Sequence, residues 1–312
     1  MTAPIRKVLL VGANGSLGSD VLDALVAAGS FDVSILQRSN SSSKPAHADR
    51  ITTIPVSPVM TLDELQTAVT GQDAVIAAFP LKDVTQHLRL AEAAFHAGVR
   101  RYIPADYGSC DASRPQPQKY LQLYRDKDAV QKKCAELAAS ASAASKPFTW
   151  TSIVCGHFFD WAVRHEHLGL DIDGRKALLL DGGVTKASMS TMPQVAKAVV
   201  AVLQRPEVTE NRFVHIQGFC VTPLEVVAAF ERATGAVWHK ETVDSNALLE
   251  REFEKYKAGD DHAVHEIVYV LGAVDADWTT LPTFAMDLLG LEEENLDKVV
   301  ADLVAEHSAK KA

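Results

Sequence analysis

The chain has 312 residues, 47% of them hydrophobic and 23% charged, the balance of an ordinary water-soluble globular protein with room for one large domain or a large and a smaller one. Its net charge of -9, from 31 basic and 40 acidic residues, argues against a sequence-independent nucleic-acid surface. No run of about 20 apolar residues could span a membrane, and no basic-then-apolar leader opens the chain. Cys110, Cys134, Cys155 and Cys220 show no metal-ligand spacing, so the expected setting is a reducing cytoplasm.

The first organised stretch is Val8-Leu9-Leu10-Val11-Gly12-Ala13-Asn14-Gly15-Ser16-Leu17-Gly18. An apolar run ends at Gly12, and an amphipathic helix begins near Ser19. That is a strand, a tight turn and a helix, the arrangement in which backbone N–H groups and a helix N-terminus receive a pyrophosphate. Glycine spacings recur by chance, so the flanks carry this reading.

Further strands are expected at 32–36, 51–55, 74–79, 101–104 and 148–154. Helices are expected between them, one opening on a capping box of Thr61 and Glu64 and others at 83–97 and 119–142. Strands that alternate with helices predict an α/β Rossmann fold: a doubly wound parallel sheet with its ligand at the carboxyl ends of the strands. Beyond Cys155 the alternation breaks. A strand and turn at 177–183, helices at 192–203 and 223–234, and a strand at 212–216 precede a mostly helical stretch from 241. The expected division is a dinucleotide-binding domain at 1–154. A smaller C-terminal α/β substrate lobe at 155–312 would send some elements back to the first sheet.

The second strand ends in Gln37-Arg38-Ser39. An acidic residue there would accept from a ribose 2′-OH, whereas an arginine can receive the 2′-phosphate. Arg38 therefore favours NADPH/NADP+, although an exposed arginine is also an ordinary surface residue. The candidate cofactor-binding residues are Gly12, Asn14, Gly15, Ser16, Leu17, Gly18, Arg38, Phe79 and Lys127.

A usual short-chain dehydrogenase carries Tyr-x-x-x-Lys on the helix after the fifth strand. Here Tyr124 and Lys127 are three apart, and Tyr120 does not correct the spacing. Spacing alone leaves Lys127 as either a solvated helix charge or a catalyst acting without a tyrosine. The absence of the pair also weakens a sugar-nucleotide epimerase reading.

The segments Gly12-Ala13-Asn14-Gly15-Ser16-Leu17-Gly18 and Ala97-Gly98-Val99-Arg100-Arg101-Tyr102-Ile103-Pro104-Ala105-Asp106-Tyr107-Gly108 resemble the NmrA-like family of atypical short-chain dehydrogenases, in its isoflavone reductase-like branch. The similarity runs to about residue 159 and continues through the helix at 192–203. The resemblance implies an NADPH-dependent reductase of a small aromatic, phenolic or carbonyl compound. It makes Lys127 the proton-transfer residue and leaves a homodimer open. NmrA-like relatives also include non-catalytic redox sensors that bind dinucleotide and act through a protein partner, which is the alternative reading.

Val154-Cys155-Gly156-His157-Phe158 departs from the "NCF" segment of the plant members, so their substrates are not carried over. His157 is a candidate substrate contact or proton donor, or else a structural turn histidine. Phe158, Phe159 and Trp161 could stack on an aromatic substrate or belong to the core. Asp106 and Tyr107 are read only as shaping the loop beneath the pocket.

Overall fold

A computed structural model describes residues 3–144 and 146–311. The chain opens with β1 (Lys7–Val11), α1 (Ser16–Ala28), β2 (Asp32–Arg38), β3 (Thr52–Val56), α2 (Leu62–Val69), β4 (Ala74–Ala77), α3 (Val84–His96) and β5 (Arg101–Ile103). It continues through α4 (Pro115–Tyr120), α5 (Gln122–Ala143), β6 (Thr149–Val154), β7 (His157–Phe158), α6 (Phe159–Arg164), β8 (Leu170–Asp171), β9 (Lys176–Leu180) and β10 (Ala187–Ser190). After these come α7 (Met192–Gln204), β11 (Arg212–His215), β12 (Phe219–Val221), α8 (Pro223–Thr234), β13 (His239–Val243) and α9 (Ser245–Lys257). The described chain closes with α10 (Ala263–Ala273), α11 (Met286–Leu289) and α12 (Leu296–Ala309).

Apolar character on both faces decides which strands are central. All four residues of β4 and the last four of β1 are buried, and these strands pair in parallel at the middle of the sheet. The full order is β11-β6-β5-β4-β1-β2-β3, every neighbour parallel. Strand side chains alternate between faces. Val8 and Leu10 accordingly join a core with α1 and α7, whereas Leu9 and Val11 join a second core with α2, α3 and α5. A third core gathers α6, α8, α9, α10 and α12 around β9.

Two small sheets, β12-β10-β7 and β13-β9-β8, hold the remaining strands. The strand at 212 does return to the main sheet: β11 pairs with β6 through Arg212–Thr151 and Val214–Ile153. The capping box forms as expected, with Thr61 and Glu64 each bonded to the other's backbone. Two expectations change. The helix foreseen at 119–142 is two helices, broken at Leu121, which takes an extended φ of -126° and ψ of 137°. The stretch from 241 is helical only after β13, which pairs in parallel with β9. Among the described residues no helix is long and apolar enough to cross a membrane.

β5 is only three residues long, and its first residue anchors it. Arg101 is 1% exposed and donates to Thr149 Oγ1, Thr151 Oγ1, Thr209 Oγ1 and the Pro206 carbonyl. Burial pushes its guanidinium down to about 10, so it stays charged at neutral pH and depends on that fork of oxygens. Arg101→Lys keeps the charge but cannot span the four acceptors. It should lower stability by roughly 2 kcal/mol, the scale of a hydrogen bond to a charged group, read as a fall in the urea midpoint with unchanged slope.

Candidate functional site

The turn after β1 is dictated by backbone contact. Gly12 has φ +99°, and a Cβ there would lie 2.4 Å from the Ala78 carbonyl oxygen at the end of β4. A Cβ on Gly18 would lie 1.9 Å from the Gly12 carbonyl oxygen. Both glycines are therefore demanded by the approach of β1, α1 and β4. Gly15 differs: its φ is -82°, and its Cβ would come no nearer to another atom than 3.2 Å. The protein's own packing asks less of Gly15, which leaves a bare backbone facing the groove.

No side chain caps the start of α1, so the N–H groups of its first turn have no side-chain acceptor and can receive an anion. A cavity of about 520 Å³ opens there, bordered by Gly12, Asn14, Gly15, Arg38, Phe79 and Lys82. Phe79 is stacked on His87 at 3.8 Å between ring centroids, which fixes one wall. No hydrogen bond or ion pair engages the Arg38 or Lys82 side chain among the described residues. The groove thus combines backbone donors with two unengaged cations, a donor set that fits a phosphorylated dinucleotide. Lys82 was missed in the sequence, although its place just after β4 and Pro80 puts it at the carboxyl edge of the sheet.

Ser16, Leu17 and Gly18 do not border the cavity. Leu17 is 8% exposed and lies in the core with Val21 and Tyr107; Gly18 acts through its contact with Gly12.

Lys127 lies in a neighbouring pocket. That pocket, about 180 Å³, is bordered by Tyr124, Lys127, His157, Phe158, Trp161 and Tyr269, among others. Tyr107 and Ser109 in its wall follow β5, and Gly156, His157 and Phe158 follow β6; β5 adjoins β4, and β6 lies on the far side of β5. With about 4.8 Å between adjacent strands, the pocket and the groove lie side by side along one edge of the sheet. Lys127, His157 and Phe158 are thereby brought together, while Phe159 is fully buried against Phe219.

Tyr124 stands one turn before Lys127 on the same face of α5, with the Lys127 Nζ 5.9 Å from its ring centre. Burial holds the Tyr124 phenol well above its ordinary value, so it does not stand in for an ionisable dehydrogenase tyrosine. His157 is 7% exposed, and its Nε2 lies 3.2 Å from the Tyr269 carbonyl oxygen. A carbonyl only accepts, so Nε2 carries the proton and Nδ1 is the ring's acceptor. Burial pushes this histidine down to about 4, which keeps the ring neutral at pH 7.

At the pocket mouth Trp161 stacks on His165, and His167 on His265, each pair at 4.3 Å. This row of rings was not foreseen, because its members come from α6, the loop after it and α10. Gly18→Ala should destabilise the protein by about 1–3 kcal/mol, the range for inserting a methyl group into a packed site. Loss of nucleotide binding should accompany the lowered urea midpoint, because the same contact shapes the groove.

The NmrA-like family pattern matches residues 4–274. The oxidoreductase poxI of Penicillium oxalicum is 33% identical over 305 residues, covering 96% of this chain and 94% of that protein. Leucoanthocyanidin reductase from Vitis vinifera, solved with NADPH, superposes with a TM-score of 0.75 at 16% identity over 96% of this chain and 99% of that one. AtPrR2, solved with NADP+ and (+)pinoresinol, gives 0.72 at 21% identity over 97% and 100%. The last two likenesses concern the fold; the family pattern, together with a relative a third identical along nearly its whole length, establishes that this chain belongs to the NmrA-like family.

Proposed function

We propose that this protein is an NADPH-dependent reductase of a small aromatic, phenolic or carbonyl compound, with Lys127 moving the proton. The observation that carries the reading is the placement of Lys127: its side chain, 11% exposed, stands on the wall of a ring-lined pocket beside the groove at the start of α1. The oxidoreductase name of the Penicillium relative and the nicotinamide nucleotides in the two solved structures support it. A regulator that only binds dinucleotide has no need of a largely buried lysine in a second pocket.

Gly12, Asn14 and Gly15, at the N-terminus of α1, would hold the pyrophosphate, with Gly18 shaping that turn through its contact with Gly12; Arg38 and Lys82 would hold the adenosine 2′-phosphate, and Phe79 would form a wall of the groove. When bound, NADPH would supply a hydride to the substrate. Lys127 acts on the substrate oxygen: an Nζ–H bond breaks, an O–H bond forms, and the amine regains its proton from solvent. Neutral His157 serves as an acceptor for a substrate hydroxyl through Nδ1, not as an imidazolium acid. Phe158 supplies an apolar wall for an aromatic ring. We take residues 1–154, completed by α7 and β11, as the dinucleotide-binding part and most of the later chain as the substrate side.

The deciding experiment is a fluorescence titration with NADPH, NADP+, NADH and NAD+, followed by a turnover screen of small phenolic and carbonyl compounds at 340 nm. NADPH should bind more tightly than NADH. Arg38→Ala should weaken NADPH by more than about tenfold, equivalent to at least 1.4 kcal/mol, while changing NADH little; equal weakening of both would remove Arg38 from 2′-phosphate recognition. Lys127→Ala should abolish turnover and keep NADPH affinity within about threefold. A clear preference for oxidised nucleotide with no turnover would instead favour the sensor.

A further inference from the structure

The loop after β5 carries a buried carboxylate with no role so far. Asp106 has a side chain 2% exposed, and its Oδ2 accepts from Gln131 Nε2 at 2.8 Å and Ser152 Oγ at 2.5 Å. Its Oδ1 is buried with no hydrogen-bond partner. That oxygen lies 3.8 Å from Lys127 Nζ, and this is the one ion pair Lys127 makes among the described residues. An orphaned buried carboxylate oxygen is costly unless a cation answers it.

Three elements converge to build the contact. Gln131 stands one turn beyond Lys127 on α5, Ser152 belongs to β6, and Asp106 sits in the loop that rejoins β6 through the Gly108–Val154 bridge. Tyr107 turns that loop with φ +42°. Gly108 leaves the space: a Cβ there would lie 3.0 Å from Asp106 Oδ1 and 3.7 Å from Lys127 Nζ. Gly108 is bare where a side chain would press between the two charges.

Other ionisable groups around the pair come from the same loop, from α5 and from the end of β6, with His157 and Tyr269 in the pocket beside Lys127 and Asp128, Lys132 and His215 in the cavity that Asp106 borders. Burial pushes Cys110 up to about 11 and holds Tyr107, Tyr124 and Cys155 far above their ordinary values. These neighbours are neutral at pH 7. Asp111, also on this loop, is the further carboxylate that acts on Asp106, and it makes no ion pair with Lys127. The Asp106 carboxyl is itself raised by burial, opposed first by Lys127 and then by Ser152 and Gln131.

We propose that Asp106 is the positioning residue for Lys127: its free Oδ1 pairs with the ammonium and fixes it at the pocket wall, so that Lys127 enters each cycle aimed as a proton donor. Gln131 and Ser152 hold Oδ2 so that Oδ1 is the oxygen presented. After Lys127 has given its proton to the substrate oxygen, the carboxylate draws one from solvent back to the amine, the proton that a reduction consumes overall. This inference rests on the reductase reading for its purpose, but the coupling of the two residues can be measured without a substrate.

The test is competitive labelling of the full-length protein with trace acetic anhydride at pH 8, since only the neutral amine reacts. Peptide mass spectrometry gives the Lys127 rate relative to exposed Lys44. Asp106→Asn should raise that ratio at least fivefold, with NADPH affinity retained as evidence of an intact fold. Ser152→Ala, which leaves the carboxyl in place, should raise it at least twofold and serves if the asparagine variant does not fold. A ratio unchanged within experimental scatter in a folded variant overturns the proposal. If labelling is unchanged while Lys127→Ala kills turnover, the positioning role falls and the reductase reading stands. If labelling rises but Lys127→Ala turns over normally, the coupling stands and the catalytic reading of Lys127 falls.

Discussion

The structure depends on how closely three pieces of backbone meet at the end of β1. The Gly12 carbonyl oxygen occupies the place a Gly18 side chain would need, and the Ala78 carbonyl oxygen blocks one at Gly12. Removing two side chains lets the first helix begin directly over the edge of the sheet, and that brings unsatisfied N–H groups to the groove. Everything downstream is placed relative to this edge. Arg38 ends the strand on one side, Phe79 follows the strand on the other, and the loop bearing Asp106 leaves the next strand along.

Much of this architecture was legible in the residues because it is local. Apolar runs broken by glycine, a capping box at Thr61 and Glu64, and the proline at the start of the helix after Thr191 each act within a few residues. The break at Leu121 was not legible. Lys119 through Ser142 has helix-forming residues throughout, and the residues at the interruption are held by partners far apart in sequence: Leu121 is buried in the core with β9 and α8, and Tyr120 bonds to Glu250. The row of Trp161, His165, His167 and His265 was hidden for the same reason, as was Asp106 as the partner of Lys127; Lys82 was open to view from its place just after β4 and Pro80.

The two roles once open for His157 illustrate how burial selects among chemistries that sequence leaves equal. An exposed histidine could donate a proton near neutral pH. Enclosed beneath α10 and bonded to the Tyr269 carbonyl, this one is a neutral acceptor. Gly272 makes room for it, since a Cβ there would meet His157 Nε2 at 2.6 Å. The same physics acts oppositely on the carboxyl of Asp106, which survives burial because a lysine and two hydrogen-bond donors face it.

The return of β11 to the edge of β6 has a consequence for the chain as it is made. A ribosome releases the protein from its N-terminus, so six strands of the main sheet can emerge and pair before residues 212–215 exist. During that interval the outer edge of β6 presents open N–H and C=O groups, the form of strand most prone to pair with a stranger. The α1 face of the sheet likewise has only α1 to cover it until α7 arrives to pack beside it. The long excursion through β7 to β10 therefore sets how long a nascent chain of this fold carries an exposed, adhesive flank, and with it how much the newborn protein relies on chaperones.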